Sequence, residues 1–182
     1  MVVSCTIDIP QETKLLIEHE TSSLFELHPE YVWLEPNHYC IPLYTWQDVS
    51  VDLIEKLQQK ITDVLFEQSA FTLYGLQYKV KISDHIDIVL EFQTDRHYRT
   101  LAQAISEFFG EQKTSNAPPM LLLARYKVPS KQQYTHLKNK LSKLVTNTEI
   151  AVHHVSLQKV TDFGHGVKTF EHVGSVSLHQ TP

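Results

Sequence analysis

Histidine is the residue type in this sequence best suited to acid–base chemistry near neutral pH. The chain has 11 histidines in 182 residues, and the ordinary pKa of imidazole lies close to neutrality. Five of them fall in the last thirty residues: His153, His154, His165, His172 and His179. A metal site needs two or three ligands on one face, whereas adjacent residues such as His153 and His154 point to opposite faces of a strand. The pattern therefore favours surface or hydrogen-bonded imidazoles and predicts no metal and no cofactor.

Cys40 lies two residues after His38, a spacing that suggests a cysteine nucleophile. On one strand the two side chains would share a face, about 6–7 Å apart. A reactive thiolate also needs a nearby cation or a helix N-terminus, and the sequence around Cys40 shows neither. We therefore expect Cys40 to be a small buried residue. With Cys5 it forms no CxxC motif and no disulfide ladder, which is typical of a reducing cytosol.

Aromatic residues surround His38 in the sequence. Trp33 and Tyr39 are candidates for stacking on a nucleobase, although aromatic rings on strands more often pack in a core. The formal net charge of −5 argues against a surface that coats nucleic acid, because such a surface needs a basic face. A small phosphate pocket needs only a few donors and stays compatible with this charge.

The first half of the chain alternates strands with helices. A strand over 2–9 ends at Pro10, and a helix follows over 11–27. Two short extended segments, 31–36 and 38–46, flank the turn at Pro36 and Asn37. Ser50 is the predicted N-cap of an amphipathic helix, and two strand-like segments come next, FTLYGLQYKVKI and HIDIVLEFQ.

The second half continues the alternation. Thr94 is the predicted cap of a third helix, TSNAPP is a linker, and the apolar strand MLLLARYKV and a fourth helix follow. Two strands close the chain, IAVHHVSLQKV and VKTFEHVGSVSLH, with a glycine turn at 163–166 between them. Helices among hairpin-linked strands favour α+β layers, and no glycine-rich nucleotide loop is present. We predict a single domain over 1–182 that consists of two intertwined lobes, with the lobe boundary in 113–119.

The element order and two short motifs resemble the 2H phosphoesterases, which include 2′–5′ RNA ligase-like proteins and cyclic nucleotide phosphodiesterases. That family continues from its first strand to a tryptophan strand, an Asn-x-His turn and a His-x-Thr strand. The matching stretch here runs from Tyr31 to Ile41 and contains Asn37-His38. The family's second motif, Pro-His-x-Thr-Leu-Ala-Arg, corresponds to residues 119–125, PMLLLAR. The resemblance implies a bilobal α+β fold in which two antiparallel sheets line a central cleft, with helices outside.

The resemblance also implies a division of chemical roles. In such enzymes one histidine removes a proton, the other protonates the departing ribose oxygen, and each threonine holds a phosphate oxygen. Here His38 matches the first histidine, but Cys40 replaces the hydroxyl. Met120 and Leu122 stand for the second histidine and threonine, and neither can transfer a proton or bind an oxyanion. Arg125 matches the final arginine, which either meets a phosphate or caps the strand.

A second string offers a different partner for His38. Residues 154–157 read His-Val-Ser-Leu on a predicted strand, so His154 and Ser156 could form the second motif. This assignment leaves the strand after Pro119 and its following helix without a family counterpart. In a third arrangement, His154 reaches the cleft from a neighbouring strand and replaces the lost base.

Three functions follow from these alternatives. The first is a catalytically reduced protein that binds RNA ends, nucleotides or another phosphate ligand in the cleft. Its candidate ligand-binding residues are Cys40, Arg125, Ser156, Trp33 and Tyr39. The second is an active, metal-independent 2′,3′-cyclic phosphodiesterase in which His38 acts with His154 or another base, and the third is a scaffold with an apolar, filled cleft. Because no segment has the length of a membrane span and the start lacks a basic leader, we expect a cytoplasmic monomer.

Overall fold

The computed structural model describes residues 1–82, 85–108, 117–126, 130–162 and 168–179. The strands are β1 (Val2–Asp8), β2 (Val32–Trp33), β3 (Cys40–Trp46), β4 (Phe71–Ile82), β5 (Ile86–Phe92), β6 (Met120–Tyr126), β7 (Glu149–Val152), β8 (His154–Asp162) and β9 (Lys168–Ser177). The helices are α1 (Gln11–Leu27), α2 (Ile54–Leu65), α3 (Arg96–Phe108) and α4 (Lys131–Leu141). Single 3-10 turns, Pro36–His38 and Val51–Leu53, precede β3 and α2.

The strands form two antiparallel sheets that each combine strands from both halves of the sequence. Sheet 1 has the order β3-β1-β8-β9, and sheet 2 has the order β2-β6-β5-β4-β7. All of their pairings are antiparallel. β3, at the edge of sheet 1, also lies against β6 of sheet 2. The two strands that carry the predicted motif positions are therefore neighbours at the junction of the sheets.

One face of sheet 1 is apolar and the other is polar, because the two kinds of side chain alternate along β1. The apolar face carries Val3 and Cys5, which are fully buried. Gly174 pairs with Leu157, which pairs with Cys5, so the three residues share this face. Helix α2 packs on it, because a Cβ added to Gly174 would lie 3.0 Å from Gln58 of that helix. The polar face is turned away from α2, and we call it the inner face of sheet 1.

Helices α1 and α4 pack on one face of sheet 2. Tyr78 of β4 points to α1, where its hydroxyl donates to Glu20, and α4 lies against the same strand. Side chains of the opposite set form the inner face of sheet 2: Lys79, Asp87, Val89, Glu91, Met120, Leu122 and Arg125. The predicted α+β fold, with two antiparallel sheets and the helices outside, is confirmed.

Two predicted strands differ from those in the structure. The segment predicted as one strand over 150–160 breaks at His153, because Glu149–Val152 pairs with β4 in sheet 2 while the following strand lies in sheet 1. His38 lies in a 3-10 turn that begins with Pro36, whose fixed φ angle favours a turn. The expectation that His38 and Cys40 share a strand face is therefore wrong, because the strand begins only at Cys40.

The helix caps differ in detail from the prediction. Helix α3 begins after Asp95, whose carboxylate accepts a hydrogen bond from the His97 backbone N–H, so Asp95 takes the role predicted for Thr94. The Ser50 side chain makes no capping hydrogen bond. The predicted glycine turn at 163–166 and residues 113–116 of the predicted lobe boundary lie outside the described residues, so that boundary stays a prediction.

Candidate functional site

The register of sheet 1 places polar side chains in rows on its inner face. Cys40 pairs with Asp8, and Thr6 pairs with Ser156. Continuing the β1–β8 ladder by two residues brings His154 opposite Asp8. Three neighbouring strands thus contribute a thiol, a carboxylate and an imidazole to one row. The next row carries the hydroxyl groups of Thr6 and Ser156.

Asp8 is the centre of a hydrogen-bond network on this face. Its Oδ1 accepts from Gln158 Nε2 at 2.8 Å, and its Oδ2 accepts from Ser156 Oγ. His154 Nε2 lies 3.5 Å from the same Oδ2, and 48% of the His154 side chain is exposed. Ser156 is fully buried. A carboxylate that is fixed by two donors can orient an imidazole, and this imidazole remains accessible to a ligand.

The network extends from β8 onto β9. Ser175 Oγ lies 3.5 Å from Ser156 Oγ and 3.4 Å from His172 Nε2. Ser175 and His172 are both exposed. The inner face of sheet 1 therefore offers the imidazoles of His154 and His172 and the Ser175 hydroxyl to solvent.

The sequence prediction missed Asp8 and Gln158. The available signal was the alternation of polar Ser4, Thr6 and Asp8 with apolar residues in the first strand, which indicates one polar face. The pairing of β1 with β8 connects residues about 150 positions apart, and no local pattern predicts it.

Both cysteine thiols are buried and strongly disfavour the thiolate form. Burial, together with the nearby Asp8 carboxylate, raises the pKa of the Cys5 thiol to about 12. The same two causes raise the pKa of the Cys40 thiol well above its usual range, although Lys14 acts in the opposite direction. A thiol in this state is a poor nucleophile. The structure thus agrees with the expectation that Cys40 is a small buried residue.

We expect both cysteines to resist alkylation in the folded protein. At pH 8 a thiol with a pKa near 12 is ionised in only about one molecule in 10⁴. Mass spectrometry after iodoacetamide treatment at pH 8 should show unmodified protein in native buffer and two additions in urea. Rapid addition to Cys40 in native buffer would contradict the burial seen here.

The inner face of sheet 2 has apolar groups where the resemblance implies catalytic ones. Met120 pairs with Glu91 and Leu122 pairs with Val89, and both Met120 and Leu122 are half-buried. The side chains of Met120 and Leu122 point to the inner face. These are the positions that match the histidine and threonine of the family's second motif. Among the strand residues that the structure describes, none on the inner face of sheet 2 is a histidine.

The charged groups of this face form ion pairs with one another. Arg125 Nε lies 2.6 Å from Asp87 Oδ1, and its Nη2 lies 2.8 Å from Asp87 Oδ2. Lys79 pairs with Glu91. The arginine predicted to meet a phosphate is thus held on β6 by a bidentate contact with a carboxylate, so its contact with a phosphate stays a prediction.

The other predicted residues lie around the turn before β3. His38 ends that turn, is half-buried and lies two residues before Cys40. Trp33 and Tyr39 line a cavity of about 310 Å³ between α1 and the turn, and the lining of this cavity includes no residue of either inner face. The structure therefore gathers Cys40, His154 and Ser156 around Asp8 and places the two aromatic residues elsewhere.

Two kinds of site are not found among the described residues. No group of three or more His, Cys, Asp or Glu side chains in these ranges is arranged to hold a metal ion. None of their helices is both long and apolar enough to cross a lipid bilayer.

Solved structures with the same arrangement identify the class of fold. Escherichia coli LigT complexed with 3′-AMP matches with a TM-score of 0.74 and 20% identity over 98% of each chain. The protein TT0787 of Thermus thermophilus matches with a TM-score of 0.70 and 13% identity over 98% of each chain. Usb1 of Kluyveromyces marxianus matches with a TM-score of 0.54 and 8% identity over 94% of this chain and 98% of its own.

The chain has the 2H phosphoesterase fold that its element order predicted. Further LigT structures are complexes with phosphate, ATP and NADP+. By sequence, neither the models of protein families nor the curated proteins give a match to this chain. At these identities the likeness establishes the fold, and the function has to be argued from this chain's own side chains.

Proposed function

We propose that this protein binds the phosphate of a nucleotide or RNA end in the cleft between the two inner faces, and that its catalytic machinery is reduced. The contrast between the faces carries this proposal. Sheet 1 presents the Asp8–His154 pair, whereas sheet 2 presents Met120 and Leu122 where acid–base catalysis needs a second imidazole. The polar inner face of sheet 1 also argues against a scaffold with an apolar, filled cleft. We place this activity in the cytoplasm.

The side chains of the inner face of sheet 1 suit a phosphate group. Serine hydroxyls and imidazoles donate hydrogen bonds to phosphate oxygens. Ser175 and His172 are exposed and are therefore accessible to such a ligand. Asp8 would repel an anion, but both of its oxygens accept hydrogen bonds within the sheet. The LigT complex with 3′-AMP, in the same fold, supports a nucleotide as the ligand.

Calorimetric titration with 3′-AMP tests the binding proposal. His154→Ala should weaken binding by about five- to ten-fold, because it removes a hydrogen-bond donor to the phosphate. His153→Ala is the matched control, since His153 is adjacent, exposed and outside the strands. Absence of 3′-AMP binding to the wild type, or equal effects of the two substitutions, would contradict the proposal.

A specific observation favours the second candidate, an active 2′,3′-cyclic phosphodiesterase that uses His38 with His154. The fixed Asp8 carboxylate beside His154 Nε2 is the arrangement that orients a catalytic imidazole in other enzymes. This candidate predicts turnover of 2′,3′-cyclic AMP that is abolished in both His38→Ala and His154→Ala and survives in His153→Ala. Turnover with this pattern would overturn the reduced-machinery proposal, and an inert wild type would exclude the second candidate.

A further inference from the structure

A cavity outside the cleft combines negative charge with aromatic rings. It lies between α1 and the segment 33–39 and has a volume of about 310 Å³. Its carboxylates are Glu18, Glu26 and Glu35, and its rings are Phe25, Trp33 and Tyr39. Among the described residues, no lysine, arginine or histidine belongs to the lining. The negative charge of this cavity is therefore not balanced within its own walls.

The aromatic rings form a fixed wall. Trp33 is held by a hydrogen bond from its Nε1 to the His28 carbonyl oxygen at 3.0 Å. Phe25 packs edge-on against it, with ring centroids 5.8 Å apart and an interplanar angle of 65°. Phe25 is 56% exposed, so its ring is accessible to a ligand in the cavity.

Tyr39 supplies a polar group without a protein partner. The residue is only 5% exposed, and among the described residues no group forms a hydrogen bond with its hydroxyl. Burial, followed by the nearby Glu18 carboxylate, raises the pKa of this hydroxyl to about 12. An uncharged hydroxyl that has no partner among the described residues can accept a hydrogen bond from a ligand in the cavity. A ligand that donates a hydrogen bond would satisfy it.

We propose that this cavity binds an organic cation, namely a guanidinium or alkylammonium group on a short aliphatic stem. The carboxylates attract the charge, the ring faces contribute cation–π contacts, and the Tyr39 hydroxyl oxygen accepts an N–H bond. The volume lies at the lower end of the range for small-molecule sites. The sequence suggested Trp33 and Tyr39 as stacking residues for a nucleotide, which carries negative charge. In this proposal they contact a positively charged ligand instead. This inference is independent of the function proposed for the cleft.

The charge requirement is tested with butylguanidinium and its uncharged isostere butylurea. Ligand-observed NMR should show saturable binding of butylguanidinium with a Kd of about 1 mM or tighter, and no saturation by butylurea. The Glu18→Gln/Glu26→Gln variant should bind about ten-fold more weakly. The Glu12→Gln/Glu55→Gln variant removes the same charge from exposed sites outside the cavity and should bind normally. Equal binding by both variants, or no saturation by about 10 mM butylguanidinium, would overturn the proposal.

An acetylated arginine amide distinguishes the two sources of such a cation. Tighter binding of the amide than of butylguanidinium assigns the cavity to a basic side chain of a peptide. Equal or weaker binding assigns it to a free small molecule. Both results support the shared chemistry of the ligand.

Tyr39→Phe separates a role in binding from a role in stability. Because the hydroxyl has no partner among the described residues, its removal should leave the thermal unfolding temperature unchanged or higher. The same variant should bind butylguanidinium roughly five-fold more weakly. Lower stability with unchanged affinity would show that the hydroxyl serves the fold and would remove it from the proposed site.

Discussion

Turnover of 2′,3′-cyclic AMP should increase by about 10²- to 10⁴-fold when Met120 is replaced by His and Leu122 by Thr, the range associated with one general acid or base. Both side chains project from β6 to the inner face of sheet 2. An imidazole at position 120 would face the cleft from the side opposite His154. The double substitution would therefore supply the proton-transfer group and the phosphate-binding hydroxyl that the proposed function considers lost.

The control for this gain of activity is Met120→Gln with Leu122→Thr. Glutamine is polar and similar in size to methionine, but it cannot transfer a proton at neutral pH. Activity in the histidine variant alone would assign the gain to acid–base catalysis. Equal activity in both variants, or no gain in a histidine variant that unfolds at the wild-type temperature, would show that position 120 is not the site of the missing group.

The second large effect is expected at the ion pair between Arg125 and Asp87. Their side chains are 21% and 10% exposed and are joined by two hydrogen bonds. Arg125→Leu alone should reduce the free energy of unfolding by about 3–5 kcal/mol, because it leaves a buried carboxylate without a partner. Replacing both residues by Leu should cost much less, since the uncompensated charge is then absent. Urea denaturation of the two single variants and the double variant measures this coupling.

A surface pair serves as the comparison for this cycle. Lys159 and Glu171 lie 3.7 Å apart on β8 and β9, and their side chains are 46% and 74% exposed. Lys159→Ala should change the free energy of unfolding by no more than about 1 kcal/mol, since exposed pairs are screened by water and salt. If Arg125→Leu changed the free energy of unfolding as little as Lys159→Ala, the contact between Arg125 and Asp87 would not be a buried, stabilising ion pair.

Elements whose signals are local could be predicted from the sequence. Helix α1 spans residues 11–27, as predicted, because Pro10 suits the entry to a helix and the following residues favour helical structure. The break at His153 could not be predicted in this way. Residues on either side of it have similar strand propensities, and only their partners in two different sheets separate them.

The candidate site shows the same division between local and distant information. Strand alternation after Pro119 was sufficient to predict that Met120 and Leu122 share a face. The prediction that His38 lies on a strand was wrong, because the strand begins two residues later, at Cys40. The contact of Asp8 with His154 depends on pairing between the two ends of the described chain. Sequence reasoning therefore offered His154 as an alternative partner of His38 but did not find its contact with Asp8.

The exchange of strands between the sheets has a consequence for synthesis on the ribosome. Thr6 bonds to Ser156, a partner 150 residues further along the chain. At typical elongation rates of about 5–20 residues per second, β1 therefore waits roughly 8–30 s for its partner strand β8. During this interval β1 presents an unpaired edge that can join a neighbouring nascent chain. A fragment that ends before β8 would keep that edge permanently, so the two sheets cannot be produced as separate, independently stable pieces.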